Sequence, residues 1–147
     1  GDRQARFLDA PEALLAVIQP SMTLALLTSP EVRAPGPLYT IFTWVDVGGL
    51  LMDRMIAGID LDARPEADRV LTDVNAIAHL AQAFGLSRTH ASRKLAAAER
   101  VGGIGWTGRR GHSRIWISRG FYEEYALAQA RKLVVLDAAL AEASAPA

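Results

Sequence analysis

The chain has 147 residues and half of them are apolar, so it is long enough to bury one good hydrophobic core. Its 16 basic and 16 acidic residues balance, which taken alone argues against a nucleic-acid protein, and the lack of cysteine excludes disulfides and thiolate metal sites. No uninterrupted apolar run approaches the roughly 18 residues that span a bilayer, and the first residues lack the pattern of a secretion signal. We therefore expect a soluble, cytoplasmic protein without a membrane segment.

The N-terminal part of the chain is predicted to be helical. Asp9 can cap the free N–H groups of a helix, so a first helix is expected to begin there and to stop at Pro20. Prolines and a glycine at 29–37 indicate a loop. A second helix is predicted over about 38–57.

Residues 58–68 are rich in Asp and indicate a connector. Within the second helix predicted over 38–57, Gly48 and Gly49 would lower helix stability by roughly 2 kcal/mol relative to two alanines. We expect residues 1–68 to serve in dimerisation or in binding an effector. Three aromatic side chains there could line an effector pocket, although core or dimer packing is favoured: Tyr39, Phe42 and Trp44.

Two short helices around a tight turn are predicted next. From about Arg69 or Thr72, apolar residues recur at helical spacing, and Gly85 ends this helix. Ser87 can cap the following helix, which is expected to run to about Glu99.

A β-hairpin and a last helix are predicted to follow. Apolar residues alternate with polar ones on both sides of a basic turn bracketed by Gly108 and Gly111. The last helix is expected to begin at Ser118 or Arg119, to run to about Glu142, and to supply a dimer contact.

Positive charge is concentrated in the second half of the chain. Residues 1–70 hold six basic and ten acidic residues, whereas residues 71–147 hold ten basic and six acidic ones. Between 87 and 119 a single acid, Glu99, stands against eight basic residues: Arg88, Arg93, Lys94, Arg100, Arg109, Arg110, Arg114 and Arg119. A surface that binds nucleic acid requires such a concentration of charge.

The string IAHLAQAFGLSRTHASRKL at 77–95 resembles the helix-turn-helix of bacterial transcriptional regulators. Ala81 matches the small residue where the two helices touch, and a bulky side chain there would push them apart. Gly85 matches the left-handed turn residue, where a Cβ would resist positive φ. Ala91 and Leu95 match the buried positions of the second helix.

The basic hairpin and the capped helix after this string extend the resemblance to winged-helix regulators, and the chain is somewhat similar to the MarR-type group over about 72–142. Lys94 departs from the pattern, because many relatives are apolar at that position. The resemblance implies a mainly α fold with a small β-hairpin. It places a winged helix-turn-helix at 69–118, after a helical N-terminal region at 1–68 and before a C-terminal helix at 119–147.

The resemblance also implies that the helix from Ser87 to about Glu99 enters the major groove of duplex DNA. Its first turns would contact bases and neighbouring phosphates, and the hairpin would follow the backbone or reach the minor groove. The expected DNA-binding residues are Ser87, Arg88, Thr89, His90, Ser92, Arg93 and Lys94 on the helix and Arg109, Arg110, His112 and Arg114 on the hairpin.

Metal and enzyme interpretations find little support. His79, His90 and His112 lie 11 and 22 residues apart, without an H-E-x-x-H spacing or any cysteine. Asp60 and Asp62 resemble solvated charges of a connector, and the sequence shows no nucleophile elbow or phosphate-binding loop. We expect no catalytic residue, no metal, no cofactor and no enzyme activity.

The expected function is therefore sequence-specific binding of double-stranded DNA by a transcriptional regulator. A homodimer is expected, since two half-sites multiply a modest affinity, and the sequence leaves a small-molecule effector open. The alternative is a winged-helix module that docks on an acidic protein within a larger assembly. Trp106 and Trp116 could stack on bases, but we favour a cross-strand pair that stiffens the hairpin.

Overall fold

The computed structural model describes residues 9, 11–33, 35–43, 48–64, 66 and 68–143. These ranges contain seven helices: α1 Pro11–Thr28, α2 Pro30–Arg33, α3 Pro37–Thr43, α4 Gly49–Ala57, α5 Ile77–Ala83, α6 Arg88–Arg100 and α7 Arg119–Ala143. They also contain three strands: β1 Arg69–Leu71, β2 Ile104–Trp106 and β3 Ile115–Ser118. The protein is thus mainly helical with a small antiparallel sheet, as the sequence predicted.

The described residues divide into two compact units. One lies between residues 35 and 126, and the other combines the residues before 35 with those after 126. The boundaries predicted from the sequence, after 68 and after 118, both fall inside the first of these units.

The sheet has the order β1-β3-β2, with both pairs antiparallel. Strands β2 and β3 are the predicted hairpin. Strand β1 was missed, because a helix was expected to start at Arg69 or Thr72 but α5 begins only at Ile77. A strand of three residues is too short to show alternation, and its pairing partners lie more than 40 residues away in sequence.

The core of the unit at 35–126 lies under one face of the sheet. Ile104, Ile115 and Ile117 share that face and are almost fully buried. Helix α6 contacts α3, α5 and β2 through its buried side. Phe42 of α3 and Phe121 of α7 meet edge to face, with ring centroids 5.6 Å apart.

The predicted second helix is described as two helices, α3 and α4. Helix α3 ends at Thr43, Gly48 lies in a turn, and α4 begins at Gly49. Residues 44–47 between them, including Trp44, lie outside the described residues. Tyr39 and Phe42 are buried, as expected of core side chains.

The other unit contains α1, α2 and the part of α7 after residue 126. Ser21 Oγ donates to Glu142 Oε2 at 2.9 Å, and an Arg131 guanidinium nitrogen donates to the Glu31 carbonyl oxygen at 2.8 Å. The expectation that the first helix stops at Pro20 was wrong, because α1 continues through that proline to Thr28. A proline lacks one helix hydrogen bond, and flanking residues of high helix propensity can compensate for this loss.

Helix α1 is apolar and barely covered. Its 18 residues have a mean hydropathy of 1.3, and 6% of them are buried. By length and composition alone it could cross a membrane, a property that core helices of soluble proteins and signal sequences share. The expectation of a protein without a membrane segment stays a prediction.

Candidate functional site

The turn between α5 and α6 has the local geometry that the sequence predicted. Gly85 has a φ of 63°, in the left-handed region that favours glycine. The Ser87 hydroxyl accepts a hydrogen bond from the His90 backbone N–H at 3.1 Å, which caps α6. Ala81 is 4% exposed and Ala91 is fully buried, so small side chains lie where the two helices meet.

The outward side of α6 forms part of an open depression. Five of its residues line this depression together with Arg110 of the loop between β2 and β3: Arg88, Thr89, Ser92, Arg93 and Ala96. Residues 87–89 and Arg93 are exposed, so none of the elements that the structure describes covers the beginning of α6. Three arginines from two separate elements therefore line one surface, which we call the basic depression.

The loop at 107–114, which we call the hairpin loop, is braced by its own hydrogen bonds. Ser113 Oγ accepts from the Gly108 N–H and donates to the Arg109 carbonyl oxygen, each at 3.0 Å. The His112 N–H also donates to the Arg109 carbonyl oxygen at 3.0 Å. Gly111 completes the turn with a φ of 78°. The loop is thus held in one shape beside α6.

Arg110 reaches from the hairpin loop to α6. Its Nε donates to Glu99 Oε2 at 2.9 Å, and its terminal nitrogens lie 3.2 Å from the Ser92 carbonyl oxygen and 3.5 Å from Ser92 Oγ. Glu99 is the single acid in the basic stretch of the sequence, and the structure pairs it with an arginine that lines this surface.

Arg114 is directed away from the hairpin loop. Its Nε donates to the Thr72 carbonyl oxygen at 2.8 Å, and a terminal nitrogen donates to Asp60 Oδ2 at 2.6 Å. This ion pair lowers the pKa of Asp60, with hydrogen bonding from Arg114 as the main cause. The view of Asp60 as a merely solvated connector charge was therefore wrong.

Three further predicted site residues differ in where they lie. Lys94 is not among the residues that line the basic depression, because its ammonium donates to the Ile41 carbonyl oxygen at 2.8 Å. His90 lies beside the depression, with its Nδ1 3.3 Å from a guanidinium nitrogen of Arg93. His112 is exposed in the hairpin loop.

The two hairpin tryptophans do not face each other. Trp106 is opposite Ile115, whereas Trp116 is opposite Gly105 on the other face of the sheet. The Arg69 guanidinium instead lies over the Trp116 ring, with its central carbon, Cζ, 4.2 Å from the ring centroid. The predicted cross-strand tryptophan pair was therefore wrong, because register sets the two side chains on opposite faces.

Sequence reasoning missed a second ion pair near the connector. Arg54 of α4 donates to both oxygens of Asp73, at 2.7 and 2.9 Å. These hydrogen bonds lower the pKa of Asp73 and raise that of Arg54. The partners are 19 residues apart, so no helical or strand spacing could have found them.

The described part of the chain holds no candidate metal site, because no three His, Cys, Asp or Glu side chains are grouped there to hold an ion.

The fold and this surface together define a mainly helical protein whose small sheet places a basic loop beside an exposed basic helix. Comparisons with protein-family models, with curated proteins and with solved structures found no match.

Proposed function

We propose that this protein is a transcriptional regulator that binds double-stranded DNA, with residues 69–118 as a winged helix-turn-helix. The observation that carries the proposal is the basic depression, where Arg88 and Arg93 of α6 are exposed and Arg110 brings the hairpin loop beside them. Guanidinium groups gathered on one open surface suit a polyanion, and they suit it better than charges spread over a whole surface do.

The shape of this surface favours duplex DNA among polyanions. An exposed α-helix fits the major groove of B-form DNA, in which each base pair shows a distinct pattern of donors and acceptors. Arg88, Thr89 and Arg93 lie on the exposed side of α6, where they could contact base edges or neighbouring phosphates. The buried residues Ala91 and Leu95 hold the opposite side of this helix in the core.

The capped beginning of α6 supports the same orientation. The first backbone N–H groups of a helix favour negative charge, and Ser87 already satisfies one of them. A DNA phosphate near this end would meet the remaining N–H groups and the hydroxyl groups of Ser87 and Thr89.

Fluorescence anisotropy with a labelled random-sequence duplex at low salt tests the proposal. Micromolar or tighter binding that weakens steeply with salt supports it. The double variant R88Q/R93Q should bind more weakly and with a flatter salt dependence, while R64Q, which changes an exposed arginine of the connector, should bind as the wild type does. No binding at micromolar protein would contradict the proposal and favour docking on an acidic protein.

We also propose that the regulator is a cytoplasmic homodimer whose contact includes α7 after residue 126 and α1. Most of the large apolar side chains that the described residues leave exposed belong to these two segments, among them Leu24, Leu27, Leu133 and Val134 at 64–69% exposure. Apolar patches of this kind are typical of surfaces that bind another protein. A dimer also supplies two reading helices for two half-sites.

Light scattering after gel filtration tests the dimer. The wild type should have the mass of two chains, and L133E should shift it toward one chain, because a carboxylate would be buried at the contact. The matched control is L61E, at a leucine that is 91% exposed in the connector. A wild-type protein that elutes as one chain at all concentrations would contradict the homodimer.

A further inference from the structure

The three arginines of the hairpin loop, all expected from the sequence to bind DNA, differ in what they touch. Arg110 is bound to α6 through Glu99 and Ser92. Arg114 is bound to the residue that follows β1 and to the connector, through Thr72 and Asp60. Arg109 is exposed, and its guanidinium has no partner among the residues that the structure describes.

The contacts of Arg110 engage all three guanidinium nitrogens. Its Nε faces a carboxylate oxygen, and its two terminal nitrogens face Ser92. A phosphate would have to compete with these partners for the guanidinium, among them a carboxylate in an ion pair at 2.9 Å. The positive charge of Arg110 is moreover already offset by Glu99.

Two of the three guanidinium nitrogens of Arg114 are engaged. Its ion pair with Asp60 has an N–O distance of 2.6 Å, and its Nε is bound to a backbone carbonyl oxygen. The Thr107 N–H donates to the Arg114 carbonyl oxygen at 2.9 Å, so this residue also closes the base of the hairpin loop. Arg110 and Arg114 therefore fasten the loop at two places, to α6 and to the connector.

We propose that Arg109 is the phosphate-binding arginine of the hairpin loop, and that Arg110 and Arg114 are positioning residues that hold the loop beside α6. This inference rests on the proposed DNA-binding function and divides the roles within that surface. Arg109 is the residue next to Arg110, and its carbonyl oxygen accepts two hydrogen bonds from within the loop. The backbone that carries the free guanidinium is thus fixed before DNA binds.

The salt dependence of DNA binding separates the two roles. A lost phosphate contact flattens the log–log slope by about 0.9, whereas a lost positioning contact lowers affinity without changing the slope. With a labelled random-sequence duplex, we expect R109Q to flatten the slope by about 0.9 and R109K to restore it, because an ammonium still binds phosphate.

For Arg110 and Arg114, lysine variants are expected to weaken DNA binding and to leave its salt dependence unchanged. R110K and R114K keep the charge but cannot form the several directed hydrogen bonds of a guanidinium. We expect each to weaken binding by about three- to tenfold at every salt concentration, with the slope of the wild type. Wild-type affinity in R110K together with a slope flattened by about 0.9 in R110Q would show that Arg110 binds phosphate, and would overturn the inference.

Variants of the two acidic partners, Glu99 and Asp60, test whether the loss of these contacts strengthens or weakens DNA binding. E99A and D60A each remove a negative charge, which by long-range electrostatics alone should strengthen the binding of DNA. If Arg110 and Arg114 are positioning residues, both variants should bind DNA more weakly, because the hairpin loop loses one of the two contacts that fasten it. Stronger binding in both variants would overturn the inference, even if R114K failed to fold.

The two proposals can fail separately. If the wild type does not bind the duplex, the proposed function is wrong. If the wild type binds and R88Q/R93Q flattens the slope but R109Q does not, the DNA-binding function stands and the assignment of Arg109 is wrong.

Discussion

The ammonium nitrogen of Lys94 lies 2.8 Å from the carbonyl oxygen of Ile41 and joins α6 to the last turn of α3. The carbonyl oxygen of Phe42 is 3.5 Å from the same nitrogen. Backbone oxygens in the last turn of a helix have no partner within it, and a cation near them also offsets the negative end of the helix dipole. Lys94 therefore acts within the fold, beside the buried side of α6.

Replacing Lys94 with Met should destabilise the protein. Methionine keeps most of the aliphatic stem but removes the donor, so the free energy of unfolding should fall by about 1–3 kcal/mol. Urea denaturation measures this, and R100M, at an exposed arginine that ends α6, should stay within about 0.5 kcal/mol of the wild type. Full stability in K94M with a flatter salt slope of DNA binding would show instead that Lys94 contacts phosphate.

Helical spacing could have placed Lys94 from the sequence. It is three residues after Ala91 and four before Ala98, both buried, so it borders the inward stripe of α6. The prediction from sequence instead placed Lys94 among the DNA-binding residues of the helix. Many regulators that the sequence resembles are apolar at this position, and that difference was the signal that position 94 faces inward.

Replacing Arg93 with Ala should weaken specific DNA binding by about 1–3 kcal/mol, because this exposed guanidinium lines the basic depression on the outward side of α6. Duplex fragments selected from genomic DNA would supply the specific site, and a footprint would show which positions lose protection. R64A is the matched control, since it removes an exposed arginine of the connector. An unchanged footprint in R93A would remove Arg93 from the reading surface.

Local features were predictable because their causes are local. The cap at Ser87 and the left-handed turn at Gly85 depend on a few consecutive residues, and both were predicted correctly. The buried positions Ala91 and Leu95 follow from helical periodicity. These features define α6 and its exposed side, which is most of the candidate site.

Features set by distant partners were not predictable. Strand β1 exists because it pairs with β3, and its three residues carry no periodic signal of their own. The role of Arg114 depends on Asp60, 54 residues away, so the sequence placed both charges in solvent or on DNA. The different contacts of Arg110 and Arg114 are accordingly visible only in the structure.

The ion pair of Asp73 with Arg54 should make stability depend on acid pH. Because the guanidinium lowers the pKa of Asp73 below its ordinary 3.8, the folded carboxylate stays charged where the unfolded one takes up a proton. The stabilisation is complete well above pH 3.8 and is lost as the pH falls through the lower pKa of the folded protein. Both side chains are more than a third exposed, at 37% and 56%, so the effect should be a few tenths of a kcal/mol to about 1 kcal/mol.

Urea denaturation between pH 2 and 7 checks this dependence on the variant D73N. At neutral pH, D73N should be less stable than the wild type, and the difference should shrink as the pH falls below about 4. D53N, at an exposed aspartate of α4, serves as the control. A difference that stayed constant down to pH 2 would mean that the charge of Asp73 contributes nothing.

Thr72 is fully buried where β1 ends, and its hydroxyl should stabilise the junction between that strand and β3. Its Oγ1 donates to the Ile115 carbonyl oxygen at 2.8 Å and accepts from the Val74 N–H at 3.3 Å. Valine has nearly the same shape but leaves the Val74 N–H buried without an acceptor, so T72V should lower the free energy of unfolding by about 1–3 kcal/mol. T72S keeps the hydroxyl and loses one methyl group, which should cost about 1 kcal/mol. Hydrogen exchange distinguishes the two causes, because the Val74 amide should lose protection in T72V and keep it in T72S. Equal protection of that amide in both variants would show that the hydroxyl does not hold the junction.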